Sequence, residues 1–184
     1  MPADQNAPDR GPGGPVAELP TPVLEPVMEL RVFVAEPVEA GAVLGLNSRG
    51  RRRIIPITGG EVRFPAGLPS DARTAPRRGR ILPGGADFQI VVSDTSADLD
   101  ARYVIEVDGG RRIYVQNRAL RRGAPEDIAR LVRGEAVEPS RIYFRCVPRF
   151  EVSDPSLAWM TESVFIGTGA RFPDRVEIRV FRVG

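Results

Sequence analysis

Hydrophobic and polar residues alternate with a period of two over most of the chain beyond residue 27, the signature of strands that bury one face and wet the other. In the first such segment Met28, Leu30, Val32 and Val34 fall on one face, with Glu29 and Arg31 on the other. The same rhythm predicts strands over residues 53–58, 61–64, 79–82, 86–92, 101–108, 111–118, 141–151, 163–169 and 175–183. Asp108-Gly109-Gly110 joins two of them as a tight hairpin, because glycine enters the left-handed backbone region that such turns need. Only residues 125–134 switch to helical spacing. Pro125 opens that segment, Glu126 and Asp127 fill its first turn, Ile128, Leu131 and Val132 share one side, and Gly134 ends it, the usual order of helix signals. Short strands at regular spacing with one helix predict an all-β fold, an antiparallel barrel or sandwich.

Before residue 28 the pattern is lost. Pro2, Pro8, Pro12, Pro15, Pro20, Pro22 and Pro26 follow one another too closely for a helix or a central strand, so residues 1–27 read as a disordered or extended arm and 28–184 as one barrel domain. The arm's alternative use is as a polyproline segment for a partner, or as a segment exchanged within a homo-oligomer. Inside the barrel region two glycine pairs, Gly59-Gly60 and Gly84-Gly85, each follow β-branched or proline residues and mark bends or close backbone approach. Just after the second pair, Asp87 and Gln89 share one face of a strand. Neither pair opens a helix or carries the Lys and Ser/Thr of a phosphate loop.

With 184 residues, 42% hydrophobic and 27% charged, the chain has the make-up of one soluble globular domain. All 26 basic residues are Arg and the net charge is only +2. The absence of His removes Ser-His-Asp and Cys-His catalysis and His-ligated zinc, and the single Cys146 allows neither an internal disulfide nor a Cys-rich metal site. No metal or cofactor is expected, although a carboxylate-only cation site stays open. Cys146 reads as a small buried hydrophobe. Arg49, Arg51, Arg52, Arg53, Arg77, Arg78 and Arg80 form a basic cluster without interleaved aromatics, so nucleic acid is not the expected partner. No stretch has the length and apolarity of a membrane span and no secretory signal is evident, which makes a cytoplasmic location the expectation.

Several segments, taken in order, carry a resemblance: Gly50-Arg51-Arg52-Arg53-Ile54-Ile55-Pro56-Ile57-Thr58-Gly59-Gly60, Gly79-Arg80-Ile81-Leu82-Pro83-Gly84-Gly85-Ala86-Asp87-Phe88-Gln89, Asp108-Gly109, Tyr143-Phe144-Arg145 and Pro148-Arg149-Phe150-Glu151. Together they resemble domain-of-unknown-function family 3237. The resemblance implies a closed antiparallel barrel, similar to lipocalins or allene oxide cyclases, whose interior can hold a small molecule. It implies no settled activity. The chain departs from the family pattern at Phe88, where Trp is usual, at Gly110, and at Met160-Thr161 after Trp159.

The strand over 141–151 is two-faced, with Tyr143, Arg145, Arg149 and Glu151 on one side and Phe144, Cys146 and Phe150 on the other. The polar side either lines a ligand cavity or is the wet outside. If it lines the cavity, Arg145 pairs with Asp87 or Glu151, and the three form the catalytic candidates. Asp87 is then the general acid or base and Arg145 stabilises an enolate or alkoxide. Tyr143, Phe88, Gln89, Trp159 and Arg149 are the substrate-binding candidates. Two functions from different classes follow. One is a cofactor-free isomerase, cyclase or lyase acting on a mostly apolar metabolite. The other is a non-catalytic ligand-binding or assembly barrel in which the Asp–Arg pair only closes the fold.

Overall fold

A computed structural model describes residues 18–45, 49–65 and 76–184. Among them are ten strands: β1 (Leu24–Val34), β2 (Val38–Leu44), β3 (Arg49–Arg63), β4 (Arg78–Ile81), β5 (Gly85–Val91), β6 (Ser96–Val107), β7 (Arg112–Arg122), β8 (Tyr143–Val152), β9 (Val164–Arg171) and β10 (Arg175–Val183). The α-helix α1 (Pro125–Val132) follows β7. Every strand pairing is antiparallel, and the sheet closes on itself because β1 pairs with β10 along one edge and with β3 along the other. Leu30 thus stands opposite Ile178 on one side and Val62 on the other. The result is a closed antiparallel β-barrel.

The two glycine pairs explain how the ring accommodates β4 and β5, which share one place in it between β3 and β6. Gly60 pairs with Ile81 of β4 while Ile57 pairs with Gly85 of β5, so the break between β4 and β5 lies across from Gly59-Gly60. Gly60 has φ 152 and a Cβ there would run into the carbonyl oxygen of Arg31, so only glycine passes the corner without strain. A Cβ at Gly85 would come within 2.6 Å of the Tyr103 Cβ and closer still to the Arg102 carbonyl oxygen, so the missing side chain lets the start of β5 lie close against β6.

Several expected boundaries move. β3 runs unbroken through Arg49–Arg63 where two strands were expected, because its glycine corner bends the strand without ending it. β2, which was not expected, pairs with β3 only. β1 starts at Leu24, inside the segment read as the arm, and Val27 is fully buried. Pro26 is tolerated there because the β1–β10 register shifts between Pro26 and Met28. Residues 1–17, most of the expected arm, lie outside the described residues. Among the described residues no helix is long and apolar enough to cross a membrane.

Candidate functional site

One end of the barrel is plugged. The 3-10 turn Pro155–Met160 after β8 drives Leu157, Trp159 and Met160 into the interior. There Phe150 and Phe165 meet edge to face with centroids 5.1 Å apart, and Trp159 lies 6.0 Å from Phe165, a favoured aromatic geometry. Towards the opposite end the interior opens into a cavity of about 230 Å³. Its walls are apolar at Val32, Ile57, Leu99, Phe144 and Ile178, and its mouth is framed by the Ala35–Pro37 link, Pro173 and the end of α1 at Leu131–Gly134. The helix is held over that mouth by Leu131, which is buried, and by Asp127, whose Oδ2 accepts from Arg141 at 2.9 Å.

Within this cavity the strand alternation delivers polar side chains. β5 presents Asp87 and Gln89, β7 presents Asn117 and Arg121, and β9 presents Arg171. Asp87 stands opposite Ala101 and Ala101 opposite Asn117, so the first two strands place their polar groups on one row across a small residue. Gln89 is 2% exposed and its Nε2 donates to Asp87 Oδ2 at 2.6 Å. Asp87 Oδ1, Gln89 Oε1, Asn117 Oδ1, Arg121 Nε and Arg171 Nη1 are buried and have no hydrogen-bond partner among the described residues. Five such atoms around one cavity are many, because each buried polar atom left unpaired costs about 1–3 kcal/mol. Among the described residues no group of three or more Asp, Glu or Cys converges on a metal position.

Burial sets the electrostatics. It pushes the Asp87 carboxyl above the usual range, against the pull of the Gln89 hydrogen bond and of the Arg121 charge. It also brings Arg121 down to about 10, with the nearby charge of Arg171 acting the same way and Asp87 opposing. Arg171 is lowered by burial first and by Arg53 second. Arg53 of β3 is itself paired with Glu39 of β2, 2.6 Å away. Tyr103 and Cys146 are both raised by burial, the thiol to about 11, so both stay protonated near neutral pH.

Of the residues singled out in the sequence, the structure brings only Asp87 and Gln89 into the cavity. Tyr143, Arg145, Arg149 and Glu151 lie on the outside of β8, while Phe144, Cys146 and Phe150 fill the interior. Of the two readings of this face, the wet outside is the one the structure shows, so Arg145, Glu151, Tyr143 and Arg149 are not cavity residues: one parity of β8 had to supply the core, and the apolar one did. Arg145 instead lies over the exposed Tyr143 ring, as Arg122 also does, at 5.0 and 5.1 Å from its centroid. Phe88 points outward and is 39% exposed, so it shapes no substrate inside the barrel. Trp159 is buried in the plug and does not line the cavity.

The missed residues are Asn117, Arg121 and Arg171. Their signal was present in the alternation, since Ile113, Val115, Asn117, Ala119 and Arg121 share one parity. Asn117 stood inside the expected strand and was not singled out; Arg121 and Arg171 were lost because the expected strands ended at 118 and 169, whereas β7 reaches Arg122 and β9 reaches Arg171.

A family model described as "Protein of unknown function (DUF3237)" matches residues 22–183. An uncharacterised UPF0311 protein of Rhodopseudomonas palustris is 40% identical over 165 residues, covering 89% of this chain and 99% of the relative. The crystal structure of a Rhodopseudomonas palustris protein of unknown function superposes with a TM-score of 0.77 at 38% identity, covering 91% of this chain and all of that one. A β-barrel-like protein of Acinetobacter baumannii gives a TM-score of 0.73 at 34% identity, over 92% of this chain and 100% of its own. An enzyme from Penicillium herquei shares the fold, with a TM-score of 0.59 at 16% identity over 92% of this chain and 100% of its own.

Proposed function

We propose that this chain, which belongs to the DUF3237 family, holds one small organic molecule inside its barrel and moves a proton on it with its own side chains, Asp87 being the acid or base. The observation that carries this reading is the ring of five buried, unpartnered polar atoms around a cavity of about 230 Å³. A single water needs only about 10–15 Å³, so the space suits a metabolite. The surrounding walls are mostly apolar, as ligand pockets usually are.

The chemistry follows from the charges. An ionised Asp87 takes a proton from the substrate, and its raised affinity for that proton suits a base working towards neutral pH. The electron pair left on the substrate is drawn to an oxygen beside Arg121 and Arg171, the cations that replace Arg145 in this role. Return of the proton at another atom gives isomerisation, loss of a leaving group gives elimination, and attack on a second carbon gives ring closure. A distant barrel of the same fold is described as an enzyme, which agrees with this reading without carrying it.

A non-catalytic binding barrel is the second reading. It is favoured by the Gln89 bond to Asp87 Oδ2, which leaves one carboxylate oxygen for the ligand. Native mass spectrometry before and after organic extraction identifies the retained molecule, and Asp87→Asn separates the two readings. The catalytic one expects turnover of that molecule to fall roughly 100-fold or more with the fold and the bound ligand retained. Unchanged turnover by the folded variant sinks it.

A further inference from the structure

We propose that the molecule held in the barrel is an organic acid that also carries a hydroxyl group, its carboxylate lying between Arg121 and Arg171. This rests on the reading of the cavity as a ligand site. Arg121 is 5% exposed and Arg171 is half-buried, and both line the cavity. Neither makes a hydrogen bond or salt bridge among the described residues, and each keeps a buried N–H without a partner. The carboxylate that shares the cavity interior with them, Asp87, is already engaged by Gln89. The second carboxylate on the cavity lining, Glu36, is exposed at the mouth, where solvent screens its pull on Arg171, so two guanidinium groups and one engaged interior carboxylate leave an excess of positive charge where charge is poorly screened. An entering carboxylate neutralises that excess and accepts from both forks.

The remaining unpartnered atoms narrow the class. Asp87 Oδ1, Gln89 Oε1 and Asn117 Oδ1 are acceptors, and they need a donor from the ligand. Inorganic phosphate in its dianionic form has a single hydroxyl donor for three acceptors and no hydrocarbon part to meet the apolar wall. A hydroxy acid offers both kinds of group, and the apolar wall at Val32, Leu99 and Ile178 takes its hydrocarbon part. In that pose the carboxylate oxygens are the ones on which negative charge builds when the adjacent carbon loses its proton to Asp87.

The test uses the full-length protein and titration calorimetry with 4-hydroxybenzoate, 4-hydroxybenzamide, benzoate and inorganic phosphate, beside native mass spectrometry of the protein as purified. The acid is expected to bind roughly 10–100-fold tighter than its amide, benzoate to bind more weakly than 4-hydroxybenzoate, and Arg121→Leu to erase the preference for acid over amide. Arg171→Met serves the same purpose where Arg121→Leu does not fold. Equal binding of acid and amide, phosphate binding as tightly as the acid, or a retained molecule without an acid group overturns the proposal and leaves the cavity a ligand site. An empty barrel that takes none of the probes overturns both readings together.

Discussion

The plugged end of the barrel and the end beneath α1 use the same strands with the same alternation, and they fill it with opposite chemistry. β7 displays the change within one strand: Ile113 and Val115 are fully buried at the plugged end, and Asn117 and Arg121 follow on the same parity towards the mouth. β9 repeats it, from Phe165 in the aromatic cluster, through Gly167 and Gly169, to Arg171 in the cavity. Among the described residues, Trp159 Nε1 is the unpartnered buried polar atom at the plugged end; at the other end there are six, five around the cavity and Asp127 Oδ1 on α1. The difference teaches that the plugged half supplies the stability, while the open half retains groups that weaken the fold and suit a ligand. That division is expected where a site is built against the interests of packing.

Removing a plug side chain is the strongest way to break this comparison. Phe165 is 2% exposed and packs against both Phe150 and Trp159. Phe165→Ala is expected to cost about 3–5 kcal/mol, a fall in Tm of order 10 °C for a chain of this size, measured by calorimetry. A loss below about 1 kcal/mol would remove the plug's claim to be the stabilising half.

The opposite sign is expected at the open end. Because Arg121 binds its proton less tightly folded than unfolded, its charge costs stability at every pH below the folded value of about 10, and the cost disappears only above the ordinary arginine range. Arg121→Leu removes that charge and is expected to raise stability by about 1–3 kcal/mol in chemical denaturation at pH 7. A destabilised variant would mean that Arg121 holds the fold together, and the two halves would no longer differ in kind.

Asp87 gives a smaller effect with its own pH signature. Its folded carboxyl is raised by burial, so the stability it contributes is fully present below the unfolded value near 3.8 and is lost as pH rises through the folded value. Urea titrations at several pH values between 4 and 7 are expected to show the gap between Asp87→Asn and the parent protein widening in favour of the variant as pH rises. A constant gap would place the carboxylate in a wet, ordinary environment and contradict the closed character of the cavity.

Much of this architecture was legible in the residues. The alternation located most strands, Pro125 and Gly134 bracketed α1, and the glycine pairs marked the corner where β3 faces the β4–β5 break. Asp87 and Gln89 were found because a bend placed them beside the interior. The cations were not, since a strand's last residues are judged by local propensity, and Arg121-Arg122 and Arg171 look like the start of a loop. On β8 the apolar face was the one able to supply the core, and β9 is fitted to it, since Gly167 leaves room for Cys146 and Gly169 for the Phe144 ring.

The outer face of β8 supplies the smallest expected effect and sharpens the contrast between wall and cavity. Arg145, Arg149 and Glu151 are exposed, and among the described residues Arg145 engages the Tyr143 ring and the Phe144 carbonyl oxygen. Solvent-exposed interactions of this kind contribute little, because water and salt replace them at almost no cost. Arg145→Ala and Glu151→Ala are each expected to shift stability by no more than about 0.5 kcal/mol and to leave binding of 4-hydroxybenzoate unchanged, read by denaturation and calorimetry on the same samples. Loss of binding in either variant would return the site to the outside of the barrel, where the groove between Phe88, Arg102, Tyr114 and Glu151 lies. It would also leave the buried atoms around Arg121 without a ligand to explain them.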